Sequence, residues 1–200
     1  MADLLKKKRE EFVFMDVGAN QALYSVLASK NPSCTHIHAF EPVQQTADLA
    51  QKNIQLNDCA NVSLHRVAIS NATGKSAIHV DDAHSGKATL REIDKPSDDK
   101  QVIETIDAVE LEKIVSGAVG RIVAKIDVEG HELVVLEELL KTSFFDRIDT
   151  LFYECDRNWF DPATAETLLK ARGFDSFDAI GEGRHFDVLA RRKVNLDVVQ

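Results

Sequence analysis

Three times along this 200-residue chain a strand-sized apolar run stops on a carboxylate and turns. Phe12-Val13-Phe14-Met15 leads into Asp16 and Gly18, His36-Ile37-His38-Ala39-Phe40 into Glu41-Pro42, and Arg121–Ile126 into Asp127, Glu129 and Gly130. Helix-like segments lie between these runs. The first covers residues 20–30 and stops near Asn31-Pro32; a second carries Leu49, Ile54 and Leu56 and ends at Asn57-Asp58. A third, after Gly130, puts Leu133, Leu136, Leu139 and Leu140 on one face. Strand and helix alternating at this spacing mean βαβ units and a parallel sheet. An open sheet of that kind takes its ligand at the carboxyl ends of its strands, at the topological switch point. The acids at those ends are therefore the first candidates for chemistry.

The remaining segments complete the pattern. Val62–His65 reads as a third strand, Ser76–Val80 as an edge strand and Gln101–Ile106 as a further extended piece. Asp107 and Glu110 have capping-box spacing ahead of a helix to about Ser116. Leu151-Phe152-Tyr153 is another strand, and residues 162–172 form a helix closed by Gly173. The ending differs: strands at Phe174–Ile180 and His185–Ala190 follow one another with no helix between, which predicts an antiparallel hairpin at one edge. The polar stretch 81–100 reads as a loop excursion within one domain spanning 1–200.

Composition narrows the function classes. Apolar residues at 44% and charged residues at 28% describe a globular chain. No run approaches the ~20 apolar residues of a membrane span, and the charged N-terminus lacks the apolar core of a signal peptide. Cys34, Cys59 and Cys155 are odd in number and without CxxC spacing, so a cytoplasmic location is expected, with neither disulfide framework nor zinc site. The formal charge of −9 disfavours nucleic acid as a partner. Oligomeric state is left open.

Asp16-Val17-Gly18-Ala19-Asn20-Gln21-Ala22 places an acid at a strand end ahead of a Gly turn, as in a nucleotide-binding loop, although an ordinary βα turn has the same look. It is not GxGxxG, which counts against NAD or FAD. Glu41 follows Gly18 at the distance expected for a carboxylate that accepts hydrogen bonds from a ribose diol; a helix-capping acid ahead of Pro42 is the plainer alternative. Asp127-Val128-Glu129-Gly130-His131-Glu132 crowds three carboxylates and an imidazole at one junction, more than capping requires. Glu154 is a fourth acid at the same sheet edge, able to orient a hydroxyl or pair with a cation. His36, His38, His65 and His79 are expected to face the surface. Cys155 and the pair Trp159-Phe160 read as packing residues.

Together these junctions resemble the FkbM family of S-adenosylmethionine-dependent methyltransferases. The resemblance rests on FMDVGANQALYS (14–25), HAFEP (38–42), VAISNATG (67–74), SGKATL (85–90), TIDAVEL (105–111) and, most specifically, KIDVEGHE (125–132). It implies a class I, Rossmann-like methyltransferase fold: a seven-stranded, mostly parallel sheet, last strand antiparallel, helices on both faces. It also implies S-adenosylmethionine as cofactor and methyl transfer, most often to a hydroxyl of a small-molecule or saccharide acceptor. Carried over, Asp16, Gly18, Ala19 and Asn20 form the loop at the methionine end, Glu41 beside Pro42 holds the ribose, and Val67-Ala68 flank the adenine. Asp127 and Glu129 sit by the reactive methyl. The family usually has Gly where this chain has Ala22: Ala suits a close-packing role, whereas a positive φ there would cost cofactor affinity. Family members commonly carry more sequence upstream, so a reduced substrate cover is expected.

On this reading Asp127 is the base or hydroxyl-orienting group, with Glu129, His131 and Glu154 as alternates. No resident metal is expected. The rival enzyme reading is a metal-assisted O-methyltransferase using Asp127, Glu129 and Glu154. A cofactor-binding module without activity is a further alternative, and an NAD-dependent oxidoreductase a remote one.

Overall fold

A computed structural model of the chain describes residues 1–79, 100–117 and 119–192. Among the described residues the strands are β1 Phe12–Val17, β2 Cys34–Phe40, β3 Val62–His65, β4 Ala68–Ile69, β5 Gly74–His79, β6 Lys100–Ile106, β7 Arg121–Ile126, β8 Ile148–Asp156, β9 Phe174–Ile180 and β10 His185–Arg192. The helices are α1 Ala2–Lys7, α2 Leu23–Ser29, α3 Gln44–Leu56, α4 Ala108–Val115, α5 Glu132–Lys141 and α6 Pro162–Ala171, with a 3-10 turn at Ser143–Arg147.

Seven strands form the main sheet in the order β3-β2-β1-β7-β8-β10-β9. Its first five are parallel, and β10 runs antiparallel between β8 and β9. This is the class I, Rossmann-like arrangement. The direction of winding reverses between β1 and β7, which makes their carboxyl ends the switch point. β1 is buried along its whole length because both its faces are covered. Phe12 and Phe14 pack with Leu5 of α1 and Ala28 of α2, while Val13, Met15 and Val17 pack with Leu111, Val115, Leu136 and Leu139 of α4 and α5.

Several expectations need correction. In α3 the buried face is Thr46, Ala47, Ala50 and Ile54; Leu49 and Leu56 point to solvent. α1 has no counterpart among the sequence expectations, although its Leu5 is fully buried. β5 is an edge strand, but of a second, three-stranded sheet ordered β4-β6-β5. His38 is buried rather than surface-facing, its Nδ1 3.2 Å from Nε2 of His65. The excursion expected at 81–100 lies outside the described residues except for Lys100, the first residue of β6. Among the described residues no helix is long and apolar enough to cross a membrane.

Candidate active site

A cleft open to solvent lies over the carboxyl ends of β1, β2 and β7. The turn after β1 forms its floor. Gly18 has φ +75, and a Cβ there would stand 1.8 Å from the carbonyl oxygen of Asp127, so only glycine fits. Asn20 (φ 49) and Ala22 (φ 63) are also left-handed, which delays the helix expected from residue 20 until Leu23. The amides of this loop are spoken for. Gly18 and Ala19 donate N–H to the Phe40 carbonyl at 3.1 and 2.9 Å, and Asn20 donates to Glu41 Oε2 at 3.0 Å. A pyrophosphate needs free amides at such a turn. Their use here is a physical reason, beyond the missing glycines, that the loop does not suit a dinucleotide.

Asp16 and Ala19 are buried beneath the cleft and do not line it. The Asp16 carboxylate accepts from Ser25 N and Oγ at 3.1 and 2.7 Å, fixing the start of α2. Its other oxygen lies 3.4 Å from Lys125 Nζ. Lys125 is almost wholly buried, yet donates to the Gly18 carbonyl at 2.9 Å and reaches Asp127 Oδ2 at 3.4 Å. Burial works against its charge, but Asp16 and Asp127 outweigh that and hold its pKa above the ordinary lysine value. Lys125 thus ties the β1 loop to the β7 turn.

Glu41 lines the cleft with each oxygen already accepting one amide, Asn20 N at 3.0 Å and Val43 N at 2.9 Å. Burial raises its pKa, against the pull of those two amides. A carboxylate has about four acceptor positions, so capacity for a ribose hydroxyl remains. Pro42, Val67 and Ala68 join Phe40, Ile69 and Ile78 on the apolar wall.

At the β7 turn the acids divide their work. Glu132 is buried and turns back to accept from Val128 N at 3.0 Å and Gly130 N at 3.0 Å, so it holds the turn together. Asp127 and Glu129 line the cleft, Glu129 from a left-handed backbone at φ 52. Strain of that kind in a non-glycine residue costs about 1–3 kcal/mol and gathers at functional sites. His131 also lines the cleft, with Nε2 3.1 Å from Ser70 Oγ. Glu154, at the end of β8, joins the group: single carboxylate oxygens of Asp127, Glu129 and Glu154 lie within 4.8 Å of one another. Burial, then Asp127, Glu129 and Glu132, push the Glu154 carboxyl up to about 7. Antiparallel β10 brings His185 Nε2 to 2.7 Å from Glu154 Oε1. Burial disfavours the His185 cation, but Glu154 outweighs it and raises its pKa.

The family model described as "Methyltransferase FkbM domain" matches residues 16–176. The chain belongs to the FkbM methyltransferase family. Among relatives, "Methyltransferase 1" of Beauveria bassiana is 26% identical over 182 residues, covering 82% of this chain and 73% of that protein. Among solved structures, the ribosomal protein L11 methylase of Lactobacillus delbrueckii superposes with a TM-score of 0.53 at 13% identity, covering 96% of this chain and 76% of that one. Sp1610 of Streptococcus pneumoniae, solved with S-adenosyl-L-methionine, gives 0.57 at 13% identity, covering 98% and 74%. At such identities the structural likeness concerns the fold.

The cofactor of this FkbM domain is S-adenosylmethionine, and the cleft residues fit it. Asn20 Oδ1 is buried and has no hydrogen-bond partner, the sort of acceptor a ligand donor would satisfy. The floor at Gly18 is bare of side chain, Glu41 offers acceptor capacity, and Phe40, Val67 and Ile78 suit an apolar base. Sequence reasoning passed over Lys125 and His185. A lone lysine inside an otherwise apolar strand, two residues before an acid, was a usable signal for Lys125. Nothing local in the sequence pointed to His185, which depends on β10 pairing with β8.

Proposed function

We propose that this FkbM methyltransferase moves a methyl group to a hydroxyl oxygen of a small-molecule or saccharide acceptor. One observation carries the reading. Asp127 and Glu129 line the same cleft as Gly18, Asn20 and Glu41, and a carboxylate oxygen of Glu154 lies within 4.8 Å of one oxygen of Asp127 and one of Glu129. A carboxylate group of that density suits a neutral, proton-bearing nucleophile and complements a sulfonium.

Bound S-adenosylmethionine supplies a methyl on positively charged sulfur, with a neutral thioether as leaving group. The rest is positioning. Glu41 takes ribose hydroxyls, and the wall of Phe40, Val67, Ala68 and Ile78 takes the adenine. Asp127, steadied by Lys125, faces the acceptor hydroxyl and orients it. Asp127, or Glu129, His131 or Glu154 in its place, would accept the hydroxyl proton, while the bound cofactor would supply the methyl and keep the carbon–sulfur electron pair.

Calorimetry with S-adenosylmethionine, S-adenosylhomocysteine and NAD, with Glu41→Ala alongside, tests the cofactor half. Both adenosyl ligands should bind, NAD should not, and the variant should bind them at least about tenfold more weakly, a loss of ~1.4 kcal/mol. Labelled-methyl transfer to polyhydroxylated acceptors tests the other half. Asp127→Asn should lower turnover by roughly 10²-fold or more while changing cofactor affinity little. Unchanged turnover in that variant would remove Asp127 from the role. Cofactor binding without transfer to any acceptor would favour a binding module instead.

A further inference from the structure

Behind the cleft wall, imidazoles stand in a row on β2 and β3. His36 Nε2 lies 3.1 Å from Ser63 Oγ, the His36 and His38 ring centroids are 4.6 Å apart, and His38 Nδ1 lies 3.2 Å from His65 Nε2. The row ends at the cleft. The His65 ring stacks on Phe40 with 4.8 Å between centroids, and Phe40 lines the cleft. The backbone continues the link. The His65 carbonyl accepts from Glu41 N at 3.0 Å, and the Phe40 carbonyl accepts from Gly18 N and Ala19 N. Gly18, Ala19 and Glu41 therefore hang on the two strand ends that His38 and His65 join.

The contact between His38 and His65 holds one proton. Whichever tautomer is present, one nitrogen donates and the other accepts; a second proton would set N–H against N–H across 3.2 Å. The surroundings do not welcome the added charge. The charges that act on His38 are those of His36 and His65, and on His65 that of His36, so protonated rings repel one another. Burial works in the same direction and is the larger cause holding both imidazoles below their ordinary pKa. A proton has a route in, because His36 and His38 line a groove on the sheet face beside α4. Glu11 is the other ionisable residue of that groove, and α4 contributes the apolar Ile114. Beyond His65, Arg66 is held by Asp48 at 2.8 Å. The element able to yield is β3, a four-residue edge strand paired with β2 alone.

We propose that the His38–His65 pair makes cofactor binding acid-sensitive: neutral, it keeps β3 against β2 and holds Phe40 and Glu41 in the shape that takes S-adenosylmethionine; protonated, it parts the edge strand and loosens the site. Both rings resist protonation in the closed arrangement. That arrangement is therefore favoured above pH 6.5, the ordinary imidazole value, and penalised as pH falls below it. By reciprocity, bound cofactor makes the pair harder to protonate. The inference concerns the cofactor end of the cleft and holds whichever acceptor is methylated.

The test is calorimetric titration of the full chain with S-adenosylhomocysteine between about pH 7.5 and about pH 5, with circular dichroism confirming the fold at each pH. In the native chain the dissociation constant should rise about tenfold or more between about pH 7 and about pH 5. His38→Asn combined with His65→Gln keeps a hydrogen-bonding side chain at both positions without a titrating group, and should flatten the rise to about twofold or less. A native profile that is already flat overturns the proposal. So does a rise that persists in the double variant, which would assign it to Glu41, whose pKa burial also raises. Proton magnetic resonance of the native chain gives a second readout that needs no variant. The His38 and His65 rings should titrate about one pH unit lower with S-adenosylhomocysteine bound than without, the equivalent of about tenfold in affinity. Coincident curves overturn the proposal, and this readout decides alone if the double variant does not fold or does not bind at about pH 7.5. No binding by the native chain at any pH removes the proposal together with the fit of the cofactor, whereas a flat profile removes the proposal alone.

Discussion

Lys125 is the residue on which the two halves of the site depend. It is the cation between Asp16 and Asp127, and its hydrogen bond to the Gly18 carbonyl joins the β1 loop to the β7 turn. Breaking a buried ion pair from one side leaves uncompensated charge, typically at a cost of about 3–5 kcal/mol. Lys125→Met should therefore lower the unfolding free energy by about that much in denaturant titration, and the surviving folded protein should bind S-adenosylmethionine weakly. Ala22 poses a subtler question. Its φ of 63 is the conformation for which glycine is suited, yet its methyl is fully buried against Ala50, Ile54 and Cys59. Relief of about 1 kcal/mol of strain in Ala22→Gly is offset by loss of about 0.8 kcal/mol of buried methyl, so its melting point should barely move. Ala22→Val adds a β-branch to the same left-handed residue and should melt several degrees lower. The contrast between the two variants is the measurement.

At the scale of elements, the outer strands carry an acid-sensitive device. His36, His38 and His65 stand on β2 and β3 with ring centroids 4.6 Å (His36–His38) and 5.4 Å (His38–His65) apart. Burial, then His36 and His65, push the His38 imidazole from 6.5 down to about 4. The unfolded chain therefore takes up a proton that the folded chain refuses. This contribution to stability is intact above pH 6.5 and is lost as pH falls toward about 4, by up to ~3 kcal/mol. Denaturant midpoints across that window should fall steeply for the native chain and less so for His38→Phe. An unchanged slope would place the acid sensitivity elsewhere. The β7 turn is governed by a different element: α5 begins with Glu132, whose buried carboxylate closes the turn that presents Asp127 and Glu129.

Across the whole molecule, stability should grade outward from the switch point. β1 and β7 are each paired on both sides and covered on both faces, whereas β3 and β9 are edges and β9 is largely exposed beyond Phe174. Native-state hydrogen exchange should find the amides of Val13–Asp16 and Val123–Ile126 opening only with global unfolding, and those of β3 and β9 exchanging much sooner. Uniform protection across the sheet would contradict this gradient. The candidate site residues follow the same gradient: Asp16, Lys125 and Asp127 stand on the two central strands or just past their ends, where backbone position is held most firmly.

The parallel core of the main sheet and the acids at its strand ends are legible in the sequence. Periodicity and turn residues are local, and a parallel strand buried on both faces must be a short apolar run. Asp16, Glu41, Asp127 and Glu129 were legible for that reason, as strand-end acids ahead of turns. Tertiary structure alone decided what each acid does. Asp16 and Glu132 are drawn inward to bind Ser25 and the backbone of the β7 turn, because their carboxylates meet amides and a hydroxyl there before they meet solvent. Only the pairing of β10 with β8 brings His185 to Glu154, across 31 residues of chain. The left-handed backbone of Glu129 was equally hidden, since φ at a non-glycine residue is imposed by the packing around it; at Ala22 the family's usual Gly left a positive φ open as one of two alternatives, and the packing decided for it.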